Sequence, residues 1–292
     1  MNKLTIFTPT YNRAYTLPRL YQSLCEQTDK RFEWLIVDDG STDGTKDLVD
    51  KFVKDEKIEI CYINQINGGK HRAINLAVKK AHGDFFFIVD SDDYIPPSAV
   101  KIIFHYAEQI EFKSDFAGIC GFRAYQSGEI IAGGDKVHEC IDENSIELRK
   151  RLHIKGDMAE VFRTEILKQY PFPEFENEKF MSEAIVWNRI AQIYKLRYFP
   201  IVIYICEYLA DGLTKSIRKH HRESPKGSML FYNEIMKSPM FGFVSKVKAA
   251  INYWRYTIGI PIYRRKDKLQ PIWWSILLFP FAYYYFVKDK LV

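Results

Sequence analysis

The sequence predicts an α/β protein built on a doubly wound, mostly parallel sheet, with a helical extension at its C-terminal end. Three observations carry this. Strand and helix patterns alternate from residue 4 to about 125, as βαβ units do. The predicted strands are short, nearly continuous apolar runs, the pattern of strands covered on both faces. The chain has 292 residues, 47% apolar and 27% charged, which suffices for a sizeable core and excludes disorder.

Leu4–Thr8 is the first strand, followed by a helix through Leu17, Leu20, Tyr21 and Leu24. Trp34-Leu35-Ile36-Val37 is the second strand, and Asp43 to Val53 a helix with Thr42 or Asp43 as N-cap. Ile58–Ile63 is the third strand. Gly69 to Ala81 follows as a helix with Gly83 as its stop. Phe85–Val89 is the fourth strand, too short for a helix. Beyond it, Phe116–Tyr125 and a short Glu129–Ala132 read as strands around a turn at Gln126-Ser127-Gly128. Gly156 to Arg163 reads as a loop entering a strand, and Tyr198–Tyr208 as an aromatic-rich strand. No internal repeat or low-complexity segment is visible.

The chemistry gathers where the strands end. Phe85–Val89 runs straight into Asp90-Ser91-Asp92-Asp93, three carboxylates within four positions. In open α/β sheets ligands bind outside the carboxyl ends of the strands. Clustered carboxylates there repel one another unless a cation neutralises them. Hard oxygen ligands suit Mg²⁺ or Mn²⁺, and Mg²⁺ is commonly held by one or two carboxylates plus substrate phosphates. This predicts a metal–diphosphate site; an acidic turn capping the helix after Pro96-Pro97 is the alternative. The first two strands end in Thr8-Pro9-Thr10-Tyr11-Asn12-Arg13 and in Asp38-Asp39-Gly40-Ser41-Thr42-Asp43-Gly44-Thr45. A carboxylate on such a rim can accept hydrogen bonds from a base or a ribose, or serve only as a turn residue. After the third strand, Asn67-Gly68-Gly69 leads into Lys70, His71 and Arg72. Basic residues in a helix's first turn oppose the dipole preference, so exposed amides with Lys70 and Arg72 point to a diphosphate. The stretch is not a P-loop, and His71 has no second His or Cys at metal-ligand spacing.

In order and spacing, these four motifs, with Asn75, Ala77 and Gly83-Asp84, resemble glycosyltransferase family 2. The match is dense from residue 4 to about 97 and looser to about 215. The resemblance implies a GT-A fold, a nucleotide-sugar donor, a UDP-sugar foremost, and inversion at the anomeric carbon. It implies that Pro9, Tyr11 and Asp39 hold the base, that Lys70 contacts the donor phosphates, and that Asp90-Ser91-Asp92 is the DXD motif. Asp92 is expected to ligate the metal. Asp90 is expected on the ribose, or on the metal through water. Asp93 is either a second ligand or a cap for the next helix. The region around Gly156–Arg163 corresponds to the acceptor side, with Asp157 as a candidate contact.

An inverting transfer needs a base for the acceptor hydroxyl. The candidate is Glu183, ahead of Ile185, Val186, Ile190 and Ile193 at helical spacing; a plain N-terminal cap by Ser182 or Glu183 is the bland alternative. Family members often carry Glu-Asp here with the Asp as base, whereas this chain has Glu183-Ala184. Either Glu183 takes the role or the base lies elsewhere, with Asp157 and Glu178 as the other options. Asp211-Gly212-Leu213-Thr214 is expected to close over the diphosphate, with Lys215 and Arg218 within reach of phosphate.

The division is therefore 1–215, catalytic, and 216–292, a basic, aromatic-rich helical region. Residues 215–292 carry 15 Lys and Arg against 4 Asp and Glu, while the preceding 214 residues carry 27 against 33. Ile272 to Val287 is uncharged over 16 residues, interrupted by Pro280 and flanked by Arg264-Arg265-Lys266, Lys268, Lys288 and Lys290. That is short of the roughly 20 residues a spanning helix needs. Trp and Tyr beside Lys and Arg favour a membrane interface. Packing on the catalytic domain or on a homodimer partner is the second reading, and nucleic acid is not expected. Five cysteines without a CxxC pair argue against a zinc site or disulfide framework and fit a reducing compartment. With no secretory signal at the N-terminus, the expected place is cytoplasmic, peripheral at the inner face of the cell membrane. The acceptor is expected to be a saccharide or lipid-linked precursor of a cell-surface polysaccharide. Two rivals stand beside this reading: a sugar nucleotidylyltransferase, which would want a Gly-rich, Arg-containing loop after the first strand, and a saccharide-binding protein that has lost its base.

Overall fold

The computed structural model describes residues 3–131, 136–207, 217–261 and 265–291. By its internal packing the chain divides into two units. One comprises Met1–Pro171 with Val186–Ala210, the other Phe172–Ile185 with Asp211–Val292.

The first unit holds an eight-stranded sheet in the order β3-β2-β1-β4-β7-β5-β8-β6. Its strands are β1 (Leu4–Thr10), β2 (Phe32–Asp38), β3 (Ile60–Asn64), β4 (Phe85–Ile88), β5 (Phe116–Tyr125), β6 (Ile141–Glu143), β7 (Ala159–Arg163) and β8 (Lys195–Cys206). Strands β1 to β4 pair in parallel, as do β5 and β8. Strand β7 is inserted antiparallel between β4 and β5, and β6 runs antiparallel to β8. The helices α1 (Leu17–Cys25), α2 (Thr45–Lys54), α3 (Lys70–Lys80) and α4 (Ala99–Glu108) lie between the first five strands, and α5 (Ser145–Leu152), α6 (Thr164–Gln169) and α7 (Ala184–Ala191) follow. The alternation expected for the first half is thus present, with the ends of β1 to β4, α2 and α3 within two residues of those predicted. The strand expected at Glu129–Ala132 is reduced to a single bridge, Ala124 to Ile130, after a tight turn; residue 132 lies outside the described residues.

The apolar runs become the sheet's middle. Leu4, Ile6, Trp34, Ile36, Phe85 and Phe87 are buried in one core with α1, α2 and α4, and Phe7 stacks on Phe86 at 5.4 Å between centroids. The indole of Trp34, fully buried, donates to Thr8 Oγ1 at 2.9 Å, so its one polar atom is satisfied. Gly83 has a different reason from the helix stop expected of it. A Cβ there would lie 2.4 Å from the backbone nitrogen of Thr5, so the residue is glycine because the α3–β4 turn passes against β1.

In the second unit, helices α8 (Ile217–Glu223), α9 (Pro225–Lys237), α10 (Phe243–Thr257) and α11 (Phe279–Leu291) are accompanied by 3-10 turns at Asp267–Leu269 and Trp273–Leu278. Pro280 falls in the first turn of α11, where a missing N–H costs nothing; the uncharged run is split there between a 3-10 turn and a helix. Among the described residues no helix is long and apolar enough to cross a membrane. Arg255 and Asp289 form a bidentate pair at 2.6 and 2.7 Å that ties α10 to α11. Trp273, Leu277, Phe281 and Tyr284 remain 78, 75, 59 and 62% exposed.

His221 is buried in this unit, its ring stacked on Tyr256 at 4.9 Å. Ser228 Oγ donates to the His221 carbonyl, so it accepts from His221 Nδ1 at 2.8 Å, which sets the tautomer. Burial, then the positive charges of His220 and Arg255, push its pKa down to about 4. The folded state therefore takes up this proton later than the unfolded chain does. Stability is complete above the unfolded value of roughly 6.5 and falls on acidification toward pH 4, by on the order of 3 kcal/mol. Urea midpoints measured from pH 7 to pH 4 should show this slope, and His221→Phe should flatten it.

Candidate active site

Sheet order places a topological switch between β1 and β4. The chain leaves β1 toward β2 on one side and returns to β4 on the other, and ligands bind at such points. The segments expected to carry chemistry leave this edge of the first unit together.

The loops after β1 and β2 are laced to each other. Asn12 N donates to Ser41 Oγ at 2.8 Å, Thr42 N donates to Asn12 Oδ1 at 2.8 Å, and Asp39 N donates to Thr10 O at 2.8 Å. Pro9 is paired with Val37 in register, and Tyr11 is half exposed on the rim. The two adjacent acids differ in role. Asp38 is turn structure: it accepts from Ser41 N at 2.8 Å and from the Tyr62 hydroxyl at 2.6 Å. Asp39 accepts from Gln65 Nε2, Gly68 N and Gly69 N at 2.7, 2.7 and 2.8 Å, and so holds the β3–α3 loop. A carboxylate has roughly four lone-pair sites, which leaves Asp39 with about one beyond these three donors.

Gly69, at φ 94°, turns this loop into α3 and starts the helix at Lys70. Lys70 Nζ lies 2.5 Å from Asp90 Oδ1. Burial works against ionisation of Asp90, but the charges of Lys70 and Arg123 outweigh it and hold its carboxyl below the usual range. Asp92 is in the opposite position. Burial and then the charge of Asp90 raise it, with only weaker relief from Arg13 and Lys70. Ser91 is buried between them. Asp93 is buried as well, and both its oxygens are engaged. Oδ2 accepts from the Tyr204 hydroxyl at 2.6 Å and Oδ1 from Glu207 N at 2.8 Å. Burial, then Asp90, pushes its carboxyl up to about 7. Of the two acids expected to ligate a metal, Asp92 has the chemistry of an acid short of a cation, whereas Asp93 is committed to protein partners.

Asp90 and Asp92 are hard oxygen donors, which together with phosphate oxygens would fit Mg²⁺ or Mn²⁺. Among the described residues no group of three or more His, Cys, Asp or Glu could hold an ion, so the phosphates would have to complete the shell.

Glu183 belongs to the second unit, half-buried in the turn directly before α7. That helix is anchored in the first unit by Trp187, which stacks on Phe162 of β7 at 4.5 Å. Of the other base candidates, Glu178 caps α9: its oxygens accept from Lys226 N and Gly227 N, both at 2.8 Å. Asp157 is exposed just before β7. Asp211 to Lys215 lie outside the described residues, and Arg218 stands on α8, 4.0 Å from Asp289.

Sequence reasoning missed four residues. Arg123, on β5, donates to Met158 O at 2.7 Å and lies over the Tyr204 ring; a lone charge in an apolar strand was its only signal. Arg19 donates to the Asp92 carbonyl and pairs with Glu207. Tyr204 and Glu207 sit at the end of β8 with no sequence signal at all.

This sheet with its switch-point acids has the architecture of solved GT-A glycosyltransferases. Residues 1–349 of TarS from Staphylococcus aureus, solved with UDP-GlcNAc, superpose with a TM-score of 0.63 at 21% identity, covering 98% of this chain and 81% of that one. A mannosyltransferase from Pyrobaculum calidifontis, solved with GDP-Man and Mn²⁺, gives 0.59 at 15% identity, covering 99% of this chain and 75% of that one. The family model described as Glycosyl transferase family 2 matches residues 5–160, and the chain belongs to that family. Its relatives include the poly(ribitol-phosphate) beta-N-acetylglucosaminyltransferase TarS of Staphylococcus aureus, 29% identical over 213 residues, 68% of this chain and 35% of TarS. Glycosyltransferase GlyA of Streptococcus pneumoniae is 33% identical over 219 residues, 67% of this chain and 31% of GlyA. The putative teichuronic acid biosynthesis glycosyltransferase TuaG of Bacillus subtilis is 36% identical over 123 residues, 42% of this chain and 46% of TuaG. The chain thus spans about a third of the length of the first of these relatives.

Proposed function

We propose that the protein is an inverting, metal-dependent glycosyltransferase. It moves a sugar from a nucleotide-sugar, a UDP-sugar foremost, to a saccharide or lipid-linked acceptor in cell-surface polysaccharide synthesis. The observation that carries this reading is the switch-point rim, where Asp39, Lys70, Asp90 and Asp92 leave adjacent strands and helix α3 of one unit. The names of TarS and TuaG support a cell-wall or surface-polymer acceptor.

Pro9 and Tyr11 flank the base, and Asp39 accepts from its edge. Lys70 carries positive charge to the diphosphate. Asp92, with Asp90, would hold Mg²⁺ or Mn²⁺, which when bound would neutralise charge on the departing diphosphate. Glu183 accepts the proton of the acceptor hydroxyl as that oxygen bonds to the anomeric carbon. The bond from that carbon to the diphosphate breaks on the opposite face, so one displacement inverts the centre and no covalent enzyme intermediate forms.

The exposed aromatic residues of Trp273–Leu278 and α11, beside the lysines of the second unit, suit an anionic lipid surface. This would place the enzyme at the inner face of the membrane. Sedimentation with phosphatidylglycerol vesicles but not phosphatidylcholine vesicles supports that placement. A salt-insensitive dimer that ignores both would favour a homodimer contact instead.

Thermal stabilisation by a panel of nucleotide sugars with Mn²⁺ tests the donor, since a ligand at about 100 times its Kd adds about 2.7 kcal/mol. UDP-sugars should raise the melting temperature most. Stabilisation by none of the panel would refute the reading.

A further inference from the structure

We propose that Tyr204 is the positioning residue of the acid turn, and that Asp93 is its anchor rather than a second metal ligand. This rests on the reading of Asp90–Asp92 as the metal–diphosphate site.

The turn from Asp90 to Tyr94 has little regular structure of its own. Within it, Asp93 N donates to Asp90 O at 3.0 Å. Beside Lys70 on the Asp90 carboxylate, most of the other holds on it come from the end of β8, more than a hundred residues away. Tyr204 Oη accepts from Asp90 N at 3.0 Å and donates to Asp93 Oδ2 at 2.6 Å. One hydroxyl thereby fixes the backbone at the first acid and the side chain of the third. Glu207 N takes the other oxygen of Asp93 at 2.8 Å. Tyr94 and Ile205 exchange backbone hydrogen bonds at 3.1 and 2.8 Å. Arg19 of α1 closes the arrangement: it donates to the Asp92 carbonyl, pairs with the Glu207 carboxylate and covers the Tyr94 ring.

The tyrosine is itself immobilised. Its ring is fully buried, meets Phe87 edge-on at 6.0 Å, and carries the Arg123 guanidinium 4.1 Å from its centroid. A buried phenol needs a hydrogen-bond partner, and here both partners belong to the acid turn. With its ends held by Tyr204 and Glu207, the turn presents the carboxylate of Asp92 without rearrangement when a ligand arrives. Preorganisation of this kind shows in binding of the metal–diphosphate pair rather than in the chemical step.

The full-length chain is titrated with UDP, with and without Mn²⁺, in wild type, Tyr204→Phe, Asp93→Asn and Asp92→Asn. Wild type should bind UDP more tightly with Mn²⁺. Tyr204→Phe should weaken that Mn²⁺-dependent gain about tenfold, the scale of a lost hydrogen bond, and leave binding without Mn²⁺ unchanged. In turnover it should raise the Mn²⁺ concentration required while kcat at saturating Mn²⁺ stays close to wild type. Asp93→Asn retains an acceptor for the Glu207 amide and should stay within about threefold of wild type. Asp92→Asn should lose the Mn²⁺-dependent gain. If Asp93→Asn loses it as fully as Asp92→Asn, Asp93 is a ligand and the proposal is wrong. It is also wrong if Tyr204→Phe, folded by its melting curve, shows the wild-type gain. A wild type that binds UDP no better with Mn²⁺ removes the underlying metal reading, and the proposal with it.

Discussion

Glu183→Gln is expected to lower kcat by two to four orders of magnitude, the range that a positioned general base contributes. Glutamine has the same shape, and α7 begins at Ala184, so the helix and its packing through Trp187 should be unaffected. The variant cannot take a proton from the acceptor. Because Glu183 is assigned no contact with the donor, the donor's KM should hold while kcat falls, the pattern of an interaction made only in the transition state. Release of nucleoside diphosphate from a nucleotide sugar, with and without a saccharide acceptor, measures this. Undiminished acceptor-dependent release would move the base elsewhere. Asp157 would then be next, since Glu178 is occupied at the start of α9. A wild type that binds donors without any release would instead favour the saccharide-binding alternative, which the alanine at 184 raises.

Asp92→Asn is expected to reduce turnover at least about a hundredfold, the scale of removing an electrostatic stabiliser from a developing anion. It should also abolish the response to Mn²⁺ or Mg²⁺. The three acids are not equivalent. Asp90 already has Lys70 at 2.5 Å, and Asp93 has Tyr204 and Glu207. Asp92 is raised by burial and by its neighbour's charge, and unlike Asp93 it has no hydrogen bond from the β8 end, so among the described residues it is the acid left to gain from a cation. Asparagine preserves size and turn preference, which separates loss of charge from loss of fold. Matching melting curves with metal-independent residual activity would complete the result. Normal turnover with an intact metal response would remove Asp92 from the site.

The first four strands were legible because each is an apolar run ending abruptly in polar turn residues, a pattern local to a few positions. The acid turn was legible as a cluster of carboxylates at a strand end for the same reason. Its internal division of labour was not. Asp92 and Asp93 look alike in sequence, and it is Tyr204 and Glu207, 111 and 114 positions later, that tell them apart. Strand β7 was foreseen as a strand, but its antiparallel place between β4 and β5 depends on pairings no local pattern encodes. Glu178 read as a free carboxylate because its amide partners lie 48 and 49 residues on. Gly83 read as a helix stop because a glycine after a helix usually is one, and the crowding against Thr5 is visible only in three dimensions.

The grip of Asp39 on Gln65, Gly68 and Gly69 bears on any effort to re-engineer donor choice. The loop that delivers Lys70 is not a module. Swapping in the corresponding segment from another enzyme transplants amides shaped to a different acid, and the recipient carboxylate is left buried with donors missing. Chimeras that exchange residues 38–45 and 64–70 as one cassette should keep the lysine aimed; those that exchange either alone should misplace it.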